Sequence, residues 1–235
     1  MNDSMLTLDD VHTHIGQHHI LQGVSLSVNP GGATILLGRN GAGKSTTLKT
    51  IMGLYPASKG SIRFKGEKIH REKTHKIARM GMGFVPEDHA VLFNLTVEEN
   101  FRLSMVEETE TTRQNLEDVL ELFPALRKFW KTKAGLLSGG QKQMLAIARV
   151  FVCDHSLLLI DEPSKGLAPI VVDQLGEALL RIKDKTKVIL VEQNFNLACQ
   201  VGTDCFILDD GQVVFHGMID ELAKDKPMMK AYLGI

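Results

Sequence analysis

Eight consecutive residues, Gly38-Arg39-Asn40-Gly41-Ala42-Gly43-Lys44-Ser45, satisfy the spacing G-x-x-x-x-G-K-[ST]. Glycines at those places let the backbone curl so that successive N–H groups point at an anion, and a following helix adds the positive end of its dipole. In such a loop Lys44 reaches the β- and γ-phosphates of a nucleotide and the Ser45 hydroxyl ligates Mg2+; Thr46, next in line, is counted among the ATP-binding residues. A second candidate pair closes the apolar run Leu157-Leu158-Leu159-Ile160-Asp161-Glu162-Pro163. Beside a phosphate loop, Asp161 suits a magnesium ion held through water, and Glu162 suits the water that attacks the γ-phosphate. Pro163 ends the strand and keeps both carboxylates at its rim. A third segment, Leu137-Ser138-Gly139-Gly140-Gln141, precedes an amphipathic helix with apolar Met144, Leu145, Ile147, Ala148 and Phe151. Ser138 and Gln141 have capping-box spacing, which ordinary helices share, but the two glycines bare the helix start so that a phosphate can approach it.

These groups need strands to carry them. Strand patterns fall at 5–11, 24–28, 33–37, 61–64, 82–85, 156–160, 187–191, 204–208 and 212–215. The runs at 33–37, 157–160 and 188–191 are apolar on both faces, as buried parallel strands are, and Asp209-Asp210-Gly211 reads as a hairpin turn. Helices start near Gly43, Val97, Thr112, Gln141, Pro169 and Asn194, with two short ones after Gly217. Between 96 and 137 no strand signal occurs; a capping box at Thr96 and Glu99 opens a helical stretch that Pro124 interrupts. This stretch is expected to be a helical insertion in a single α/β domain spanning 1–235.

Composition narrows the class further. The 235 residues are 43% hydrophobic and 23% charged, which disfavours disorder and allows a substantial core. With 27 basic and 28 acidic residues, nothing supports affinity resting on nucleic-acid phosphates. No apolar run approaches the roughly 20 residues that cross a bilayer, and Met-Asn-Asp-Ser-Met lacks the basic start of a signal peptide. Cys153, Cys199 and Cys205 form no C-x-x-C pair, so packing in a reducing compartment is the expectation.

In this order, the phosphate loop, Leu-Ser-Gly-Gly-Gln and Leu-Leu-Leu-Ile-Asp-Glu-Pro strongly resemble the ATP-binding cassette of ABC transporters, over essentially the whole chain. The resemblance implies a phosphate-loop NTPase core of mostly parallel strands, an antiparallel β subdomain and a helical subdomain at about 96–137. It implies a head-to-tail pair of cassettes in which Leu137, Ser138, Gly139, Gly140 and Gln141 act in trans on the partner's ATP and Mg2+. Integral-membrane permease subunits, a docking surface near 88–93 and a place on the cytoplasmic face of the membrane are implied as well. Phe84-Val85-Pro86-Glu87, Leu95-Thr96-Val97-Glu98-Glu99-Asn100, Lys165-Gly166-Leu167-Ala168-Pro169, Val191-Glu192-Gln193-Asn194 and Tyr232-Leu233-Gly234 look like the branched-chain amino acid importers, whose solute a separate binding protein selects.

The chain departs from the wider family at three places. Glu87 stands for a glutamine that helps hold Mg2+; its carboxylate is also a hard ligand but adds negative charge. Gln193 stands for a switch histidine; it can donate to the γ-phosphate but cannot take up a proton, which leaves Glu162 as the general base. Ile15 stands where an aromatic residue usually covers the adenine, with His12 and His14 as alternatives. His12, His14, His18 and His19 are read as a solvated loop in preference to a metal site, and Lys165 falls in the dimer-crossing loop. A cassette ATPase outside transport, and a nucleotide-gated scaffold with little hydrolysis, are the competing readings.

Overall fold

The computed structural model describes residues 4–88, 90–105 and 107–235. Its strands are β1 (Leu6–Ile15), β2 (His18–Val28), β3 (Ala33–Leu37), β4 (Ala57–Phe64), β5 (Glu67–Lys68), β6 (Met82–Val85), β7 (Leu157–Asp161), β8 (Lys187–Val191), β9 (Asp204–Asp209) and β10 (Gln212–Met218). Two sheets result. An antiparallel sheet runs in the order β2-β1-β4-β5, and a six-stranded sheet in the order β10-β9-β3-β8-β7-β6. Every pairing in the second sheet is parallel except that of β9 with β10.

That exception follows from the Asp209-Asp210-Gly211 turn. Asp210 and Gly211 have φ of 43° and 74°, the double left-handed pair that matches the twist of a two-residue hairpin. β3, β7 and β8 are buried at every residue, and their alternate side chains enter two different cores. Ile35, Leu158, Ile160, Val188 and Leu190 face one; Leu36, Leu157, Leu159, Ile189 and Val191 face the other.

Helices fill both faces. They are α1 (Lys44–Ile51), α2 (Thr74–Arg79), α3 (Val97–Ser104), α4 (Glu110–Leu122), α5 (Pro124–Lys128), α6 (Gly139–Phe151), α7 (Pro169–Lys185), α8 (Phe195–Val201), α9 (Ile219–Leu222) and α10 (Lys226–Met228). α1 and the antiparallel sheet cover one face, through Leu48, Ile51, Leu21 and Phe64. α6, α7 and α8 cover the other, and α3, α4 and α5 join the same core through Phe101, Val119, Leu120 and Leu126. α3 starts with the expected capping box: Glu99 N–H donates to Thr96 Oγ1 and Thr96 N–H to Glu99 Oε2.

Two expectations need correction. Residues 12–19, read as a solvated loop, lie in the β1–β2 hairpin, where the His14 and His19 rings stack 4.2 Å apart and His12 bonds His19 and Asp10. Pro124 interrupts the helical stretch as expected, between α4 and α5. It occupies the first turn of α5, where a missing N–H costs nothing. α2 has no counterpart among the expected helices, because only Ile77 of its residues is buried and no apolar period marks it.

Candidate functional site

β3 delivers the chain into the loop 38–43, and α1 begins at Lys44 with Gly43 as its N-cap and no side-chain cap. The first N–H groups of α1 are therefore left for an anion. At Gly38 glycine is obligatory: φ is 143°, and a Cβ would lie 2.2 Å from the Leu208 carbonyl oxygen. Lys44 is buried and lies back along the loop. Its Nζ donates to the carbonyl oxygens of Gly38 (2.9 Å) and Arg39 (3.1 Å) and stands 3.6 Å from Glu162 Oε1.

β7 brings the carboxylates. Asp161 Oδ1 accepts from Ser45 Oγ at 2.8 Å, while Oδ2 is buried with no hydrogen-bond partner among the described residues. Burial pushes this carboxyl above the usual range; the Ser45 bond opposes the shift and the Glu162 charge adds to it. Glu162 has φ of 44°, a left-handed conformation that costs a non-glycine residue about 1–3 kcal/mol. Its N–H donates to the Val191 carbonyl at 2.9 Å, which helps hold the turn.

β8 contributes Glu192 and Gln193. Gln193 Nε2 donates both to Glu162 Oε1 (2.7 Å) and to Asn40 Oδ1 (2.6 Å), so one amide joins the carboxylate to the phosphate loop. Buried Glu192 accepts from Ser164 N–H and Oγ and from the N–H groups of Gln193 and Asn194. It ties the loop after β7 to the loop after β8, although burial still raises its carboxyl. Sequence reasoning gave Glu192 no role. The available signal was a carboxylate directly after a fully apolar strand, a place that such a group occupies only with partners.

Asn40, Gly41, Gly43, Lys44, Ser45, Thr46, Glu87, Glu162, Lys165 and Ile20 line one cavity of about 310 Å3. Glu87, two residues after β6, accepts from Lys165 Nζ at 2.6 Å, and that bond holds the Lys165 ammonium above its ordinary range. The remaining residues of the phosphate loop are placed elsewhere. Gly38 packs on Leu208, Ala42 is buried, and Arg39 reaches the Lys230 carbonyl. Ile15 does not line the cavity either; it pairs with His18 at the hairpin end, and Ile20 of β2 is the aliphatic wall.

Leu137 is buried, Ser138 caps α6, and Gln141 completes the capping box: Gln141 N–H donates to Ser138 Oγ and Ser138 N–H to Gln141 Oε1. A Cβ on Gly139 would meet nothing within 4 Å. No hydrogen bond or ion pair among the described residues joins this helix start to the phosphate loop. Ser138, Gly140 and Gln141 instead border a second cavity, of about 540 Å3, which shares no lining residue with the first.

The donor set fits a magnesium nucleotide: a bared helix start, a buried lysine, a serine hydroxyl and an aspartate oxygen lacking a partner. Comparison with known proteins bears on the nucleotide part of that fit. The ABC transporter family matches residues 21–165, well over half the chain. The high-affinity branched-chain amino acid transport ATP-binding protein BraG of Pseudomonas aeruginosa is 39% identical over 98% of this chain and 100% of its own length. The probable branched-chain amino acid transport ATP-binding protein LivF of Archaeoglobus fulgidus is 35% identical over 92% of this chain and 93% of its own. The lipopolysaccharide export system ATP-binding protein LptB of Haemophilus influenzae is 27% identical over 98% of each chain. The crystal structure of an ATP-binding cassette of an ABC transporter in its ADP conformation has the same fold, with a TM-score of 0.85 at 24% identity over 99% of both chains. Similarity that runs the full length of such relatives makes this protein a member of the ABC transporter family, one of its ATP-hydrolysing cassettes.

Proposed function

We propose that the chain is the ATPase subunit of an importer for branched-chain or other hydrophobic amino acids. The observation that carries the solute class is the 39% identity to BraG along its full length, against 27% to the lipopolysaccharide-export protein. In this reading residues 38–46 hold the triphosphate, and Ser45, Asp161 and Glu87 hold Mg2+. When bound, that ion neutralises charge developing on the β- and γ-phosphates.

The protein's own groups divide the remaining work. Glu162 is the general base. Its Oε1 is taken by Gln193, so Oε2 is the oxygen left for the proton of the attacking water. Gln193, an amide, takes no proton; it orients Glu162 against Asn40 and the loop. Ser138, Gly139 and Gly140 close on the nucleotide of a second cassette, because one helix start cannot neutralise a triphosphate and two facing ones with Lys44 can. The helical subdomain, about 96–137, leads directly into that segment.

In this reading separate permease subunits recruit the chain to the cytoplasmic face of the membrane; no helix among the described residues is itself long and apolar enough to cross a membrane. Exposed Leu92 and Phe93 are the docking candidates within 88–93; His89 lies outside the described residues. The test is reconstitution in vesicles with the permease and solute-binding subunits. Wild type should drive ATP-dependent leucine uptake, and Glu162→Gln should bind ATP yet slow uptake by about 10²–10⁴-fold. Vesicles that ignore leucine and move a solute of another class would overturn the solute assignment. Unimpaired turnover in Glu162→Gln would overturn the base.

A further inference from the structure

Lys165, in the turn after Glu162, lines the same cavity as Lys44, Ser45 and Thr46. Its Nζ lies 2.6 Å from Glu87 Oε1 and 3.7 Å from Glu162 Oε2, so one ammonium touches carboxylates delivered by two different strands. The charged side chains lining the cavity are two cations, Lys44 and Lys165, and two anions, Glu87 and Glu162. They balance. Without Lys165 the cavity would hold one excess negative charge before any triphosphate arrived.

The pair contributes little to folding. The Lys165 and Glu87 side chains are 59% and 43% exposed, and ion pairs so open to water stabilise a fold only weakly. Their influence falls on what enters the cavity, because a carboxylate there repels a polyanion through Coulomb forces that reach beyond direct contact. A glutamine at 87 would supply an oxygen ligand without that charge. A glutamate there needs a cation at hand, and Lys165 is the one in contact.

We infer that Lys165 is a charge-setting and positioning residue of the nucleotide site. It neutralises Glu87, keeps that carboxylate from repelling the triphosphate, and holds it beside Glu162. The inference rests on the cavity being the ATP site. Lys165 and Glu87 then form one unit whose single lesions unbalance the cavity in opposite directions: Lys165→Ala leaves two carboxylates against Lys44, and Glu87→Gln leaves two cations against Glu162. The double variant is balanced again.

The test is the affinity of the full chain for a non-hydrolysable magnesium-ATP analogue, measured by calorimetry, with thermal unfolding of the nucleotide-free variants as the folding control. Lys165→Ala should weaken binding about tenfold at low ionic strength, and the loss should shrink in high salt. Lys165→Arg should bind like wild type, and Lys165→Ala with Glu87→Gln should recover most of the affinity. If Lys165→Ala costs the same affinity in the wild type as in the Glu87→Gln variant, or costs none in either, the inference is overturned. Lys44→Ala separates the two levels: if it binds as tightly as wild type, the assignment of the cavity itself fails.

Discussion

Two glycine-bearing helix starts, at α1 and at α6, differ in how far a single chain completes them. Around α1 the side chains already engage one another: Ser45 with Asp161, Lys44 with Glu162, Gln193 with both Glu162 and Asn40. Around α6 the polar contacts are local, and Gly140 packs against Val171 of α7. Ser138 and Gln141 cap each other, and Gly139 opens on nothing within 4 Å. Two cavities without a common lining residue keep the sites apart. A helix start that is capped, bare and without a ligand-facing partner in its own chain gains one when another surface closes on it. The contrast thus supports a composite site made from unlike halves of two cassettes.

The sharpest way to break that contrast is to damage one half in each of two chains. Lys44→Ala and Ser138→Arg should each lower turnover by about a hundredfold or more, since every site of either homodimer then carries a lesion. Mixed in equal amounts under conditions of subunit exchange, they should regain about a quarter of wild-type turnover: half the dimers are mixed, and each holds one intact site. A mixture no faster than either variant alone would mean that the halves are not shared.

The same contrast can be sharpened with methyl groups. Gly38→Ala drives a Cβ to within 2.2 Å of the Leu208 carbonyl at a φ of 143° and should cost about 1–3 kcal/mol of stability. Gly139→Ala places its methyl in open space at a helical residue and should leave the melting temperature within about 1 °C of wild type. Its effect should appear only in assembled turnover, lowered about tenfold by a methyl in the path of the partner's phosphate. A destabilised Gly139→Ala would show that Gly139, like Gly140, packs against its own chain.

Much of the α1 half was legible in the sequence because its signals are local. Strand ends at 33–37, 82–85 and 187–191 fall where apolar runs stop, and the capping boxes at Thr96 and Ser138 form as spaced. What joins those pieces is not local. Gln193 meets Asn40 across 153 residues, and Lys165 meets Glu87 across 78, only because β3, β8, β7 and β6 are neighbours in the sheet. Polar hairpins were the other blind spot: β1 and β2 continue through His12–Ile15 and His18–Ile20 on backbone pairing and ring stacking, which leave no apolar alternation to read.

The finest difference between the halves is energetic. The α1 half holds an ionisable group, Asp161, that is buried with one oxygen lacking a partner among the described residues, whereas residues 137–141 at the α6 start are all neutral. Burial raises the Asp161 carboxyl above its unfolded value, so the folded chain binds the proton more tightly than the unfolded chain does. Its contribution is therefore most favourable at acid pH and is lost as pH rises past the ordinary carboxylate value and through the folded one. Asp161→Asn keeps an acceptor for Ser45 and removes the charge. In the absence of nucleotide and divalent metal, it should be more stable than wild type at neutral pH by about 1 kcal/mol, or roughly 2–4 °C in melting temperature. The two melting curves should converge as pH falls below about 4, where both states of the wild type become protonated. A variant less stable than wild type at neutral pH would mean that the Asp161 carboxylate is already compensated within the chain, and that the α1 half, like the α6 start, stores no strain for a ligand to relieve.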